Sequence, residues 1–144
     1  HKDMAEKHTI LTKWKGGLAF ETDLNGHVVR MDAPVEAGGE NSGPGPKRLM
    51  MVALSGCTGM DVVSLLKKMR VDFDKVEIEV QGDVTEEHPK HYYKMHVIYY
   101  IHGKNLPLDK VQKAVKKSED LYCGVRAAYA KGMEMSSEIR IVES

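Results

Sequence analysis

The sequence predicts an α+β domain, and three observations carry that expectation. Stretches with strand periodicity come in runs rather than alternating singly with helices. An Asn25-Gly26 pair stands between two such stretches, where a two-residue hairpin turn needs positive φ at both positions. A long apolar pattern with helical spacing occupies Pro46 to Arg70.

Taken in order, His8 to Trp14 reads as a strand. Gly16-Gly17 turns the chain into a second at Leu18 to Thr22, and the hairpin returns as His27 to Asp32. Ala37 to Pro46 is rich in glycine and proline and reads as loop. Pro46 suits a first helical position, where its missing N–H is not needed. Along the helix, Leu49, Val52, Ala53, Gly56, Met60, Val63 and Lys67 share one face. Met50, Leu54, Cys57, Leu65, Leu66 and Met69 place further apolar groups on the others. A helix apolar around most of its girth, about 37 Å long at 1.5 Å per residue, needs cover on several sides. A second subunit is therefore expected to cover part of it.

Val76, Ile78 and Val80 alternate with Lys75, Glu77, Glu79 and Gln81 as a half-buried strand, and His91 to His102 forms a long β-branched and aromatic one. A helix follows Pro107 with Leu108, Val111, Ala114, Val115 and Leu121 on one face. Cys123 to Lys131 is a short second helix stopped by Gly132. Met133, Met135, Ile139 and Ile141 then alternate with polar residues as a last strand. The order is βββ-α-ββ-αα-β, read as a single domain over 1–144.

The chain has 144 residues, 42% hydrophobic and 29% charged, so disorder is not expected. Lysine plus arginine and aspartate plus glutamate balance at 21 each, which argues against nucleic acid or an acidic membrane as partner. No apolar run is read as approaching the ~20 residues that span a bilayer. His1-Lys2-Asp3 before Met4 reads as the remnant of an appended tag, and the first residues lack the apolar core of a signal peptide. A cytoplasmic protein is expected, and there structural disulfides are rare.

Only two cysteines are present. Cys57 lies in Leu54-Ser55-Gly56-Cys57-Thr58-Gly59-Met60-Asp61, inside the long helix. Each glycine there costs about 1 kcal/mol relative to alanine, which suggests that another backbone or a substrate approaches closely. Cys123 opens the short helix, where free N–H groups and the positive dipole end favour a thiolate. On these residues alone two readings stand: inert buried thiols or a redox pair.

The stretch Gly43 to Met69 (GPGPKRLMMVALSGCTGMDVVSLLKKM), the YCGV segment at Tyr122 and the element order together resemble the OsmC/Ohr family of osmotically inducible and organic hydroperoxide resistance proteins. The likeness runs from about Trp14 onward and leans toward the YhfA-like branch. It implies an intertwined homodimer with active sites at the subunit interface, and thiol peroxidase chemistry. Cys57 would attack the peroxide and become a sulfenic acid; Cys123 would resolve it to a disulfide for an external dithiol to reduce. No metal, flavin or haem is implied.

One departure stands out. Peroxidase members carry an arginine in the loop before the long helix and a glutamate near its start. Here Ala37 follows Glu36 in that loop, and Lys47-Arg48 open the helix. The charges are inverted, and a Glu36–Arg48 pair would hold its cation ~14 Å from Cys57 along the helix. Arg126, one turn after Cys123, is a further candidate cation. Asp61, one turn beyond Cys57, would orient a proton or cap a kink. If the altered pair does not activate Cys57, the alternatives are an OsmC-type dimer that holds a small apolar ligand, or a redox sensor that acts through a partner.

His88, His91, His96 and His102 lack any accompanying metal motif and read as surface or core histidines. Gly38 to Gly45 lacks a following Lys-Ser/Thr and reads as a mobile loop rather than a phosphate cradle. The methionines, Met50, Met51, Met60 and Met69 among them, read mainly as core filler.

Overall fold

The Asn25-Gly26 turn forms as expected. In the computed structural model, which describes residues 5–144, both residues take positive φ, 53° and 84°. The turn joins strand β2 (Phe20–Leu24) to β3 (His27–Met31), and β1 (Thr12–Trp14) completes an antiparallel sheet in the order β1-β2-β3. β1 is shorter than expected and is confined to the residues that pair with Phe20 to Thr22. The tag remnant and the start at Met4 lie outside the described residues.

The chain divides into two compact units, one ending at Leu49 and the other Met50–Ser144. In the first, the glycine-rich stretch is tied to Asp32 by hydrogen bonds. The Asp32 carboxylate accepts hydrogen bonds from the backbone N–H groups of Ala33, Glu40 and Ser42 and from the Ser42 hydroxyl. These donors, with Ser42 first, pull its pKa down to about 2. Two glycines permit the wrap: a Cβ on Gly39 would lie 2.1 Å from the Ala33 carbonyl, and one on Gly43 2.7 Å from that of Arg30.

Helix α1 (Pro46–Lys68) starts at the proline and straddles the division. The second unit continues with β4 (Lys75–Val84), β5 (Tyr92–Gly103), α2 (Leu108–Lys117), a π turn (Ser118–Tyr122), α3 (Gly124–Tyr129) and β6 (Glu134–Glu143). β5 is the middle strand, antiparallel to β4 and parallel to β6. A parallel neighbour needs a crossover, which α2, the π turn and α3 provide. Val97, Ile98 and Tyr99 are buried in succession, as in a strand covered on both faces. Val97 and Tyr99 join one core with Leu54, Val62 and Leu66 of α1 and Val111, Ala114 and Val115 of α2.

Two expectations about the helices change. The buried stripe of α1 is Leu54, Thr58, Val62 and Leu66, whereas Val52 and Met60, on the face that spacing assigns them, are exposed; Met60 is 76% exposed. On a helix apolar nearly all round, periodicity alone cannot choose the inward side. The helix after Pro107 stops being α-helical at Lys117, and the π turn rotates Leu121 away from the core, leaving it 68% exposed. By length and composition α1 could cross a membrane, so the expectation of no bilayer-length apolar run does not hold. Within this fold its buried stripe packs in the core beneath β5.

The histidines settle into local pairs. His96 sits between Ser136 and Glu138 of β6, His102 reaches Glu77 of β4, and His91 contacts the Pro89 carbonyl.

Candidate active site

Cys57 and Asp61 are four residues apart on α1, so they share one helical face. Opposite them stands the end of the π turn. There the Cys123 N–H bonds the Ser118 carbonyl at 2.7 Å, five residues back. A π turn inserts one residue into the helical repeat, and this one carries both Ser118 and Cys123 to α1. The two sulfurs and an Asp61 carboxylate oxygen all lie within 4.8 Å of one another. Both thiols are free; Cys57 is half-buried and Cys123 is 3% exposed.

Cys123 is the N-cap of α3, and its sulfur accepts the Arg126 backbone N–H at 3.4 Å. The helix-end effect is therefore present, but it is outweighed. Burial, then the hydrogen bond with Cys57, push the Cys123 thiol up to about 11, and the charge of Asp61 adds to the rise. The helix end therefore does not make Cys123 a ready thiolate: burial keeps its proton in place.

Behind the sulfurs lies a hydrogen-bonded row that periodicity did not reveal. The Ser118 hydroxyl donates to Asp61 Oδ2 at 2.9 Å. Ser118 also meets the Thr58 hydroxyl at 2.8 Å, and Thr58 meets the Tyr99 hydroxyl at 2.9 Å. Tyr99 in turn donates to Glu119 Oε2 at 2.9 Å. Thr58, Tyr99 and Ser118 are fully buried, so each hydroxyl needs these partners. Burial holds the Tyr99 phenol well above its usual range, which keeps its proton in place. Thr58 was the one available signal. It is a lone hydroxyl at four-residue spacing with Leu54, Val62 and Leu66, and a buried polar group requires a partner.

The supporting residues divide. Asp61 is at the site. Arg126 contributes its backbone N–H to Cys123, while its guanidinium donates to the Glu119 carbonyl at 3.4 Å. Glu36 lies in a 3-10 turn of the first unit, and Lys47 and Arg48 in the first turn of α1. Among the described residues, none of these three is found in an ion pair. The flanking glycines also differ: a Cβ on Gly59 would lie 3.3 Å from Ile78 Cγ1, whereas one on Gly56 would meet nothing within 4 Å. Only Gly59 answers to a close approach within the chain. Gly56, Gly59, Met60 and Val63 line a shallow apolar groove of about 570 Å³ against Val76 and Ile78.

Two facing thiols on the helical side of a mixed sheet define an α+β dithiol protein. Comparison with known proteins gives the family. The family model described as OsmC-like protein matches residues 39–138. Protein YhfA of Escherichia coli K12 is 30% identical over 134 residues, covering 90% of this chain and 95% of that protein. The crystal structure of a hypothetical protein from Aquifex aeolicus superposes with a TM-score of 0.79 at 25% identity, over 95% of this chain and 98% of the other. The organic hydroperoxide resistance protein OhrB of Bacillus subtilis shares the fold, with a TM-score of 0.64 at 18% identity over 92% and 98% of the two chains. This chain belongs to the OsmC-like family.

Proposed function

We propose that the protein is a thiol peroxidase that reduces organic hydroperoxides through Cys57 and Cys123. The observation that carries this reading is the approach of both sulfurs and the Asp61 carboxylate to within 4.8 Å of one another. The Cys57 thiolate attacks one peroxide oxygen, an S–O bond forms and the O–O bond breaks. Sulfur loses two electrons, and the departing alkoxide takes a proton to leave as alcohol. Cys123 then gives up its proton and attacks the Cys57 sulfur, the S–O bond breaks, and water departs from a new disulfide. An external dithiol returns two electrons and two protons. A resolving thiol that keeps its proton until the attack suits this order, because it does not compete for the peroxide.

The protein would act as a homodimer. The exposed face of α1 supports this, as does the small sheet, whose Trp14 is 66% exposed and whose Val28 is also uncovered. A second chain would cover both surfaces.

The test is consumption of cumene hydroperoxide with dithiothreitol as reductant. Wild-type protein turns over, Cys57→Ser consumes none, and Cys123→Ser forms one sulfenic acid per chain without a disulfide. Wild-type protein that leaves the hydroperoxide untouched defeats this reading. A second reading, non-catalytic ligand binding, draws on the inverted charges at Glu36 and Arg48. It would gain if an apolar ligand stayed bound through purification while both thiols remained reduced in peroxide.

A further inference from the structure

The row of hydroxyls behind the sulfurs has a proton count that sets it apart from an ordinary core network. It contains four oxygen–oxygen links: Glu119 to Tyr99, Tyr99 to Thr58, Thr58 to Ser118, and Ser118 to Asp61. With both end carboxylates ionised, only three hydroxyl protons serve those four links. Tyr99 donates to Glu119 and Ser118 donates to Asp61, so the single Thr58 proton must choose between its neighbours. One buried link is then two oxygens facing each other with no hydrogen between them, which costs free energy where no water can help.

One added proton removes the fault. Placed on Asp61, it lets every hydroxyl donate toward Glu119; placed on Glu119, it lets every hydroxyl donate toward Asp61. In both arrangements all four links are filled. The two differ only by a concerted shift of protons along the row, with each oxygen staying where it is.

We propose that this row is a one-proton store for the thiol pair. Asp61 is the acid–base group at the sulfurs, and Glu119 is the far carboxylate that shares its proton through Tyr99, Thr58 and Ser118. The source and destination of the proton rest on the peroxidase reading. Cys57 gives its thiol proton to Asp61 as it becomes a thiolate, and the row is then filled. After the O–O bond breaks, Asp61 returns that proton to the alkoxide, so no proton has to be drawn from bulk water. The same exchange serves the second step, in which the Cys123 proton goes to Asp61 and then to the departing hydroxide. A pair of carboxylates that share one proton suits both acid and base work. Because Asp61 lies within 4.8 Å of both sulfurs, each transfer is direct or passes through one water.

The charged groups around the ends are few. Asp61 faces Cys57 and Cys123. Glu119 lies near Arg126 and near Lys116, which is paired with Asp120 at 2.8 Å.

The test is carbon-13 NMR titration of the Asp61 and Glu119 carboxyl groups in reduced protein, followed by single-turnover oxidation by cumene hydroperoxide. In wild-type protein the two carboxyls respond together to one shared proton. In Tyr99→Phe, which keeps the ring and removes one link, they titrate separately. Glu119→Gln, which cannot release a proton to the row, slows sulfenic acid formation by about tenfold. It also loses the multi-proton curvature of the solvent isotope effect, a readout that a packing role would not move. Independent titration of the two carboxyls in wild-type protein overturns the store. Coupled titration with Glu119→Gln oxidising at the wild-type rate overturns its part in the reaction. Coupled titration in a protein inert to hydroperoxide upholds the store and defeats the peroxidase reading alone.

Discussion

The Ser118 hydroxyl donates to the Asp61 carboxylate at 2.9 Å, across 57 positions of sequence. This one contact fastens the π turn to the long helix beside the thiol pair. It also fixes which oxygen of Asp61 is occupied by the protein.

The raised Cys123 thiol gives a pH signature. Its folded pKa lies above the unfolded value of about 8.5, so its contribution to stability is fully present below that pH. It is lost as pH rises toward the folded value of about 11. The urea midpoint of reduced wild-type protein should therefore fall between about pH 9 and 11 more steeply than that of Cys123→Ala. Alkylation followed by mass spectrometry should mark Cys57 before Cys123 at pH 8. Equal labelling of the two thiols would contradict the assignment.

Asp32 organises the loop of the first unit, and its lowered pKa gives the opposite sign. Its contribution is present above the unfolded carboxylate value of about 4 and is lost as pH falls toward about 2. Asp32→Asn removes the charge that the Glu40 and Ser42 N–H groups address. Amide exchange at those two positions should accelerate by about tenfold or more in the variant. Unchanged protection there would show that the loop is held by other means.

Two substitutions on α1 separate the core from the proposed interface. Leu54 is fully buried, so Leu54→Ala should cost about 2–5 kcal/mol in urea unfolding. Met60 is exposed in a single chain, so Met60→Glu should leave the fold of the chain intact. If a second copy covers that face, Met60→Glu should shift the sedimentation coefficient from dimer toward monomer. A monomeric wild-type protein would remove the dimer from the account.

What could be read in the sequence followed from local chemistry. The Asn25-Gly26 turn, the start at Pro46 and the element order depend on φ preferences and short-range periodicity, and all appear in the fold. The two cysteines stood out because only two exist and both sit beside glycines in helical segments. The resemblance to OsmC proteins rested on those same residues, and the family comparisons agree with it.

Tertiary structure alone decided the chemistry of the site. Nothing in the spacing of Thr58, Tyr99, Ser118 and Glu119 marks them as partners, because they come from three separate stretches joined only when α1, β5 and the π turn pack. The π turn itself escapes any reading based on a 3.6-residue period, yet it is what turns Leu121 outward and Cys123 inward. The protonation of Cys123 was likewise set by burial, a property of the packed chain that outweighs the helix end on which it sits. Local sequence sets which elements form; the free energy of a buried proton depends on what surrounds it in three dimensions.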